Sequence, residues 1–493
     1  MSSLAIQYNE IVDSASRAFL LYKKISGTKK AVFLKQIALE IEDIGDQLIE
    51  TVMRETSLPE GRVRGERART INQILQFAQL IEEGSWVEAV IDQGNPDREP
   101  LPKPDLRKML IPMGPIVVFG AGNFPLAFSV AGGDTISALA GGNPVIVKGH
   151  PAHPKTGLLV ANAILKAVEV CKLPQGTFSY VEESSYEAGQ LLVKHPMTKA
   201  VAFTGSEKGG RALFDIANER DEPIPVFAEM GSVNPVVILP KALENKGAEM
   251  AKQLVASINL GSGQFCTNPG LILVIKGPGY AEFLQTLASE VIASDPTEMF
   301  SEGILKNYKS GLTSILHQEG ISALNDNPTY MAQPKAVPVL GTVDAETFVN
   351  HKNLHQEVFG PFSLVVTCTS ADELIKVVKS LKGQLTCTLQ SDHNEESDYK
   401  ELIEYLVLTC GRLLFNGVPT GVEVCPAMQH GGPYPASTDV RFTSVGTAAI
   451  KRFVRPISYQ DCPEELLPEE LKNSNPLGIW RWLNSEWTKQ VIT

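Results

Sequence analysis

Cys266 stands in Gly261-Ser262-Gly263-Gln264-Phe265-Cys266-Thr267-Asn268-Pro269, between a helical stretch that ends near Leu260 and an apolar β run that begins at Leu271. The flanking glycines let the backbone come close to a substrate. A thiol presented this way is a nucleophile if its surroundings favour the thiolate; a buried structural cysteine is the plainer alternative. Glu229 is the one charged residue of Phe227-Ala228-Glu229-Met230-Gly231-Ser232-Val233-Asn234-Pro235. Burial in so apolar a segment would raise its pKa toward the range of a general base, although a turn residue or a structural ion pair also fits. Asn123, in Gly120-Ala121-Gly122-Asn123-Phe124-Pro125, follows a β run. Its amide can donate to a developing oxyanion or simply stabilise a turn. The turn Phe203-Thr204-Gly205-Ser206-Glu207-Lys208-Gly209-Gly210 ends another β run and opens a helix, whose first N–H groups suit a pyrophosphate. Gly205, Ser206 and Gly210 are its cofactor-binding candidates, without the Gly-x-Gly-x-x-Gly spacing. Lys148 ends a third β run and can reach a ribose or phosphate, or stay solvated.

These residues need a frame that brings them together. Short β-branched runs at Ile116–Phe119, Val145–Val147, Phe178–Val181 and Ala200–Phe203 alternate with helical stretches at Thr156–Val170 and Ser185–Lys194. That alternation predicts an α/β fold with a parallel sheet and right-handed crossovers, its strands apolar throughout because both faces are covered. A second series begins at Val236–Leu239 and continues at Leu271–Val274, which sets a lobe boundary near residue 230. Upstream, Phe33, Ile37, Ile41, Ile44, Leu48 and Val52 recur every three or four residues, the apolar stripe of an amphipathic helix. Residues 94–107 carry Asn95, Pro96, Pro100, Pro102 and Pro104 and read as an extended arm. The tail after Pro463 is acidic, then aromatic (Trp480, Trp482, Trp487), and is expected to pack on a lobe or a neighbouring subunit.

Composition narrows the function. The 44 Lys plus Arg against 56 Asp plus Glu leave a net charge of −12, a surface that repels phosphate backbones, so nucleic-acid binding is not expected. The seven cysteines include no Cys-x-x-Cys pair, which points to a reduced, cytoplasmic protein without a disulfide framework or a metal site. Asp134 is the single charge between Lys108 and Lys148, yet Pro112, Pro115, Pro125 and Pro144 break that stretch too often for a membrane helix. A buried strand–turn–helix–strand is expected there, and no membrane partner.

Taken as an ordered set, Asn123-Phe-Pro, Lys148, Gly205-Ser206, Glu229-x-Gly, Gly-Gln-x-Cys266 and Glu357-Val358-Phe359-Gly360-Pro361 resemble the aldehyde dehydrogenase superfamily over nearly the whole chain. The wording around Glu229 and Cys266 resembles the α-ketoglutaric semialdehyde (2,5-dioxovalerate) dehydrogenases; the NADP-using long-chain aldehyde dehydrogenases of luminous bacteria are also similar. The resemblance implies a Rossmann-type cofactor lobe (residues 1–93 and 113–229), an α/β catalytic lobe (230–439), and a small bridging arm (94–112 with part of 440–493) through which subunits pair as a homodimer or homotetramer. It implies that Cys266 attacks the aldehyde and that Asn123 and the Cys266 N–H hold the oxyanion of the thiohemiacetal. Hydride then leaves to NAD or NADP, and Glu229 activates the water that hydrolyses the thioester. Glu357 is implied on the nicotinamide ribose, Phe359 against the ring, Lys148 on the adenosine ribose and Ser206 on the pyrophosphate.

The chain departs from that pattern in places. Gly122 replaces a frequent Trp, Val233 a frequent Lys, and Gly431-Gly432-Pro433-Tyr434-Pro435 a different glycine-rich segment. NAD-preferring members often carry Glu three residues after the ribose-binding Lys, where this chain has Pro151. With that repulsion toward a 2′-phosphate gone, NADP is expected to serve at least as well as NAD. A substrate carboxylate needs a cation, and Arg441 is the candidate. A cysteine acyl hydrolase without redox chemistry is the rival from another class, but it needs a base near the thiol. His150, His153 and His430 all lie outside the Cys266 segment.

Overall fold

The computed structural model describes residues 3–183, 185–325 and 331–492. A five-stranded, wholly parallel sheet runs in the order Phe178–Val181, Val145–Lys148, Ile116–Phe119, Ala200–Thr204, Val226–Glu229. Alternate side chains face opposite ways, as the pleat requires. Ile116, Val118, Val145 and Val147 enter a core with the N-terminal helices, whereas Val117 and Ile146 pack with Tyr8, Val12 and Leu192 on the other face. The chain adds strands outward on one side of Ile116–Phe119 and then returns to the other. Open α/β sheets bind ligands at such a reversal, beyond the carboxyl ends of the strands. The register aligns Lys148, Phe119, Thr204 and Glu229 along that edge.

A seven-stranded sheet follows, in the order Ser322–Ala323, Val339–Asp344, Phe362–Cys368, Leu271–Ile275, Pro235–Ile238, Gln384–Gln390, Cys410–Phe415. It is parallel except for its first pair. Helices Pro240–Asn259 and Tyr280–Ile292 cover one face, and helices that include Glu302–Leu316 and Ala371–Ser380 cover the other. A smaller mixed sheet of Val454–Gln460, Leu106–Pro112, Val90–Asp92, Arg481–Leu483 and Glu486–Thr488 stands apart from both.

The apolar stripe after Lys29 is not one helix. It divides into Gly27–Asp43 and Asp46–Thr56 at Gly45, whose φ of 67° is a left-handed conformation that suits glycine. The third sheet takes strand Val90–Asp92 from the region expected in the cofactor lobe. Residues 436–453 straddle the expected boundary at 439. Met230 N–H donates to the Ala436 carbonyl and Thr438 N–H to that of Ala228, while Ala449, Ile450 and Phe453 enter the core of the five-stranded sheet. Among the described residues, no helix is long and apolar enough to cross a membrane; the stretch between Lys108 and Lys148 forms strands Ile116–Phe119 and Val145–Lys148 around helix Gly133–Ala140.

Candidate active site

The nucleophile loop is built by backbone conformation. Gly261, Ser262 and Gly263 have φ of 55°, 60° and 64°, three left-handed residues in succession. Ser262 Oγ fastens the turn to Thr297 Oγ1 and the Glu298 carbonyl, each at 2.7 Å. A Cβ on Gly263 would lie 2.3 Å from the carbonyl of Gly360, so only glycine lets the Cys266 loop and the Glu357 loop approach this closely. Asn234 is fully buried and braces the loop from beneath, its Nδ2 donating to the carbonyls of Cys266 at 2.8 Å and Asn268 at 2.9 Å. Gln384 Oε1 holds Asn234 in turn, accepting from the N–H groups of Val233 and Asn234.

Glu229, at the end of its strand, is buried, as is His430. His430 Nε2 lies 3.4 Å from Cys266 Sγ and 3.0 Å from Glu229 Oε1. The histidine that sequence reasoning left outside the site is therefore in contact with the thiol. The chain's return carries it there: Gly432 packs against the Gln384 carbonyl, and His430 N–H donates to Thr443 Oγ1 at 2.9 Å. Ser444 Oγ donates to Glu229 Oε2. Glu229 Oε1 and His430 Nδ1 are both buried without a hydrogen bond, so Nε2 sits close enough to Oε1 for charge attraction but is aligned with sulfur instead. Thiol and carboxylate thus share one ring nitrogen. A Cys–His–carboxylate hydrolase uses the two nitrogens separately, and here the second faces no carboxylate.

The electrostatics follow from this packing. Burial pushes the Cys266 thiol well above its ordinary value, and the charges of Glu229 and Glu357 push it further, with Arg412 pulling the other way. Burial also works against the Glu229 carboxylate, but His430, the Ser444 hydroxyl and Arg452 together hold it below the usual value. Arg452 itself pairs with Asp134 at 2.7 Å beneath the site. The three donor atoms of Glu229, Cys266 and His430 lie within 4.8 Å of one another, a set able to hold a soft divalent metal.

Asn123 Nδ2 donates to the Gln264 carbonyl at 2.9 Å, two residues before Cys266, which leaves its second amide hydrogen for another acceptor. At Gly122 a Cβ would meet His150 Cε1 at 2.6 Å and the Phe300 ring at 2.7 Å, so these side chains occupy the space that a larger residue would take. Burial depresses the His150 pKa to about 3, with His153 and Lys148 adding to the effect, so it is neutral. Lys148 is half-buried at its strand end; desolvation lowers its pKa and Glu183 opposes that. Ser206 caps helix Glu207–Asn218, accepting from Gly209 N–H at 3.2 Å. A Cβ on Gly210 would strike Met230 Sδ at 2.7 Å, so this glycine seats the helix on the sheet. Glu357 and Phe359 border a small cavity with Ser232, Val233 and Gly263. Desolvation pushes the Glu357 carboxyl up to about 8, with the Glu207 charge adding to the rise and the Ser232 N–H opposing it. Arg441 stands apart from these residues. Its guanidinium, 75% exposed, pairs with Asp439 at 2.5 Å at the surface.

The edge therefore offers a helix N-terminus, a half-buried lysine and a glycine-lined cleft, a set of groups that fits a dinucleotide, beside a thiol with two bases. Residues 2–433 match the model of the aldehyde dehydrogenase family. The chain is 48% identical over 468 residues to α-ketoglutaric semialdehyde dehydrogenase 2 of Azospirillum brasilense, covering 95% of this chain and 89% of the relative. It is 44% identical over 484 residues to α-ketoglutaric semialdehyde dehydrogenase of Acinetobacter baylyi, covering 98% and 92%. Among solved structures, 3,6-anhydro-L-galactose dehydrogenase in complex with NAP superposes with a TM-score of 0.77 at 21% identity, over 92% of each chain.

Proposed function

The chain belongs to the aldehyde dehydrogenase family and is an aldehyde oxidoreductase, and from that premise we propose that it oxidises α-ketoglutaric semialdehyde to 2-oxoglutarate. Cys266 beside His430 and Glu229, facing a dinucleotide-compatible edge, carries the chemical reading. The two relatives at 48% and 44% identity support the choice of substrate.

Cys266 passes its proton to His430 Nε2, and the imidazolium so formed lies against the Glu229 carboxylate. The thiolate adds to the aldehyde carbon. The new oxyanion accepts hydrogen bonds from the Cys266 N–H and from the Asn123 amide hydrogen not given to Gln264. Bound NAD or NADP supplies the acceptor for the hydride that leaves the thiohemiacetal carbon. Lys148, Ser206 and the N-terminus of Glu207–Asn218 would hold its adenosine and pyrophosphate, and Glu357 and Phe359 would take its nicotinamide end. Glu229, through Oε1, then takes a proton from water as the hydroxide adds to the Cys266 thioester, which expels the thiolate and releases the acid.

NADP serves at least as well as NAD in this reading, because Pro151 presents no carboxylate to a 2′-phosphate. The chain pairs with copies of itself along the third sheet. Its edge strand is Glu486–Thr488, and Trp480, Trp482 and Trp487 beside it are 40%, 44% and 50% exposed. The free cysteines suit a reducing cytoplasm. The test is a matched set of rates with NAD and NADP on α-ketoglutaric semialdehyde, succinic semialdehyde and a long-chain alkanal. The keto acid with NADP is expected to lead; a clear lead for the alkanal overturns the substrate reading, and a strong NAD preference overturns the Pro151 argument.

A further inference from the structure

A 2-keto acid with a terminal aldehyde brings a carboxylate to the far end of the pocket from Cys266. Helix Glu60–Glu83 carries Arg62, Glu66, Arg69 and Gln73 at spacings that share one helical face. The contacts show what this face covers. Arg62 Cζ lies 4.3 Å from the centre of the Phe124 ring and 5.6 Å from that of Phe265, and Arg69 Cζ lies 5.1 Å from that of Phe128. Phe124 packs edge-on against both Phe128 and Phe265 at 5.3 Å. Phe265 precedes Cys266, and the Phe128 ring is 6.2 Å from His430. The helix and the three phenylalanines therefore pack beside the nucleophile loop and His430.

The charges on this face are not equally committed. Glu66, 2% exposed, receives the N–H groups of Leu126 and Ala127 at Oε1, both at 2.9 Å, and Arg62 at Oε2 at 2.6 Å. Arg62 is thereby neutralised. Arg412, across the site, gives its Nη1 and Nη2 to the carbonyls of Gly421 and Pro419, with only its Nε left buried and unpartnered. Arg69 has no ion pair or hydrogen bond among the described residues, and its Nη1 is buried. Burial disfavours its charged form and neighbouring Arg62 adds to that, while the charges of Glu66, Cys266 and Glu229 favour it. A guanidinium packed on an aromatic ring with no anion is an unmet demand. Its planar fork matches a carboxylate in two parallel hydrogen bonds.

We propose that Arg69 binds the substrate carboxylate and so selects semialdehydes of keto and dicarboxylic acids over uncharged aldehydes, with Phe124, Phe128 and Phe265 against the methylene chain. This rests on the semialdehyde reading above. The role expected of Arg441 passes to a residue that has no anion of its own.

The test compares kcat/KM for α-ketoglutaric semialdehyde and for pentanal, an uncharged aldehyde of the same chain length, in the native enzyme, Arg69→Met and Arg69→Lys. Arg69→Met is expected to lose roughly 10- to 100-fold on the semialdehyde, mostly through KM, while pentanal stays within about threefold. Arg69→Lys keeps the charge without the fork and is expected to fall between. Should Arg69→Met fail to fold, Arg69→Lys carries the test through the same split. Unchanged semialdehyde turnover in Arg69→Met, or parallel losses on both substrates in both variants, overturns the assignment of Arg69 and leaves the substrate reading standing. A native enzyme that takes pentanal as readily as the semialdehyde overturns the substrate reading, and Arg69 with it.

Discussion

The five-stranded and seven-stranded sheets are both buried on two faces, yet they meet the cleft with opposite ends. The five-stranded sheet presents carboxyl ends: Phe119 leading to Asn123, Lys148, Thr204 leading to Ser206, and Glu229. The seven-stranded sheet presents amino ends, because Asn234, Cys266 and Glu357 all lie just before the strands at Pro235, Leu271 and Phe362. Helices begin at the first edge and finish at the second. Glu207–Asn218 starts beside Ser206, whereas Pro240–Asn259 ends before the Cys266 loop. The first edge therefore carries the partial positive charge that phosphates want, and the second carries the partial negative charge that does nothing for a thiolate. This accounts for the local machinery around Cys266. With burial and two carboxylates already opposing ionisation, the thiol needs a base in contact with it, and His430 meets that need.

The sharpest way to break this division is at the thiol. Cys266→Ala is expected to lower aldehyde oxidation by about 10⁴-fold or more while the dinucleotide still binds, as measured by turnover and by cofactor fluorescence titration. Residual activity within tenfold of native would remove Cys266 from the reaction. Next, Glu229→Gln should still produce a single-turnover burst of reduced cofactor, then slow by roughly 10²- to 10³-fold in hydrolysis of the thioester. Rapid-quench detection of the acyl-enzyme checks this, and a variant with native steady-state rates would return Glu229 to a structural role.

His430→Asn tests the local base directly. Its alkylation by iodoacetamide at pH 7.5 is expected to fall roughly tenfold or more. The thiol's raised pKa fixes the sign: the thiolate grows as pH rises, so the variant's alkylation rate should still be climbing above pH 9.0, the ordinary value. A variant as reactive as native at pH 7.5 would show that the thiol ionises without the histidine. The smallest effect belongs to the other edge. Pro151→Glu should shift the NADP-to-NAD ratio of kcat/KM by about tenfold toward NAD, with the maximal rate nearly unchanged; an equal fall in kcat with both cofactors would mean that position 151 acts on the protein and not on the 2′-phosphate.

What could be read from the sequence divides along similar lines. The strands at Ile116, Val145 and Ala200 were legible because doubly covered parallel strands are almost wholly apolar, and the edge strand at Phe178 was legible from its aromatic and β-branched residues despite Ser179. Cys266, Glu229 and Asn123 were legible as polar groups isolated in apolar or glycine-rich segments. His430 was not, because it reaches Cys266 from 164 residues away through a loop with no motif of its own. Arg69 was hidden for a different reason: in Arg62-Val63-Arg64-Gly65-Glu66-Arg67-Ala68-Arg69 it is one of four arginines on a helix that reads as solvated, and only the packing of Phe128 singles it out. Gly45 was visible, yet the apolar period runs on through the break, since both helices bury the same stripe in one core.

The space beside Gly122 has a consequence for descent. His150 and Phe300 belong to segments far apart in the chain, yet together they fill the volume that a larger residue at 122 would need. Positions 122, 150 and 300 are thus not independent characters. A tryptophan grafted at 122 alone would meet two side chains already in place, and trimming 150 and 300 alone would open a void next to the oxyanion amide. Lineages that differ here are expected to differ at all three positions together, so the trio should covary, and any ancestor reconstructed one site at a time would combine residues that no single ancestor could have carried.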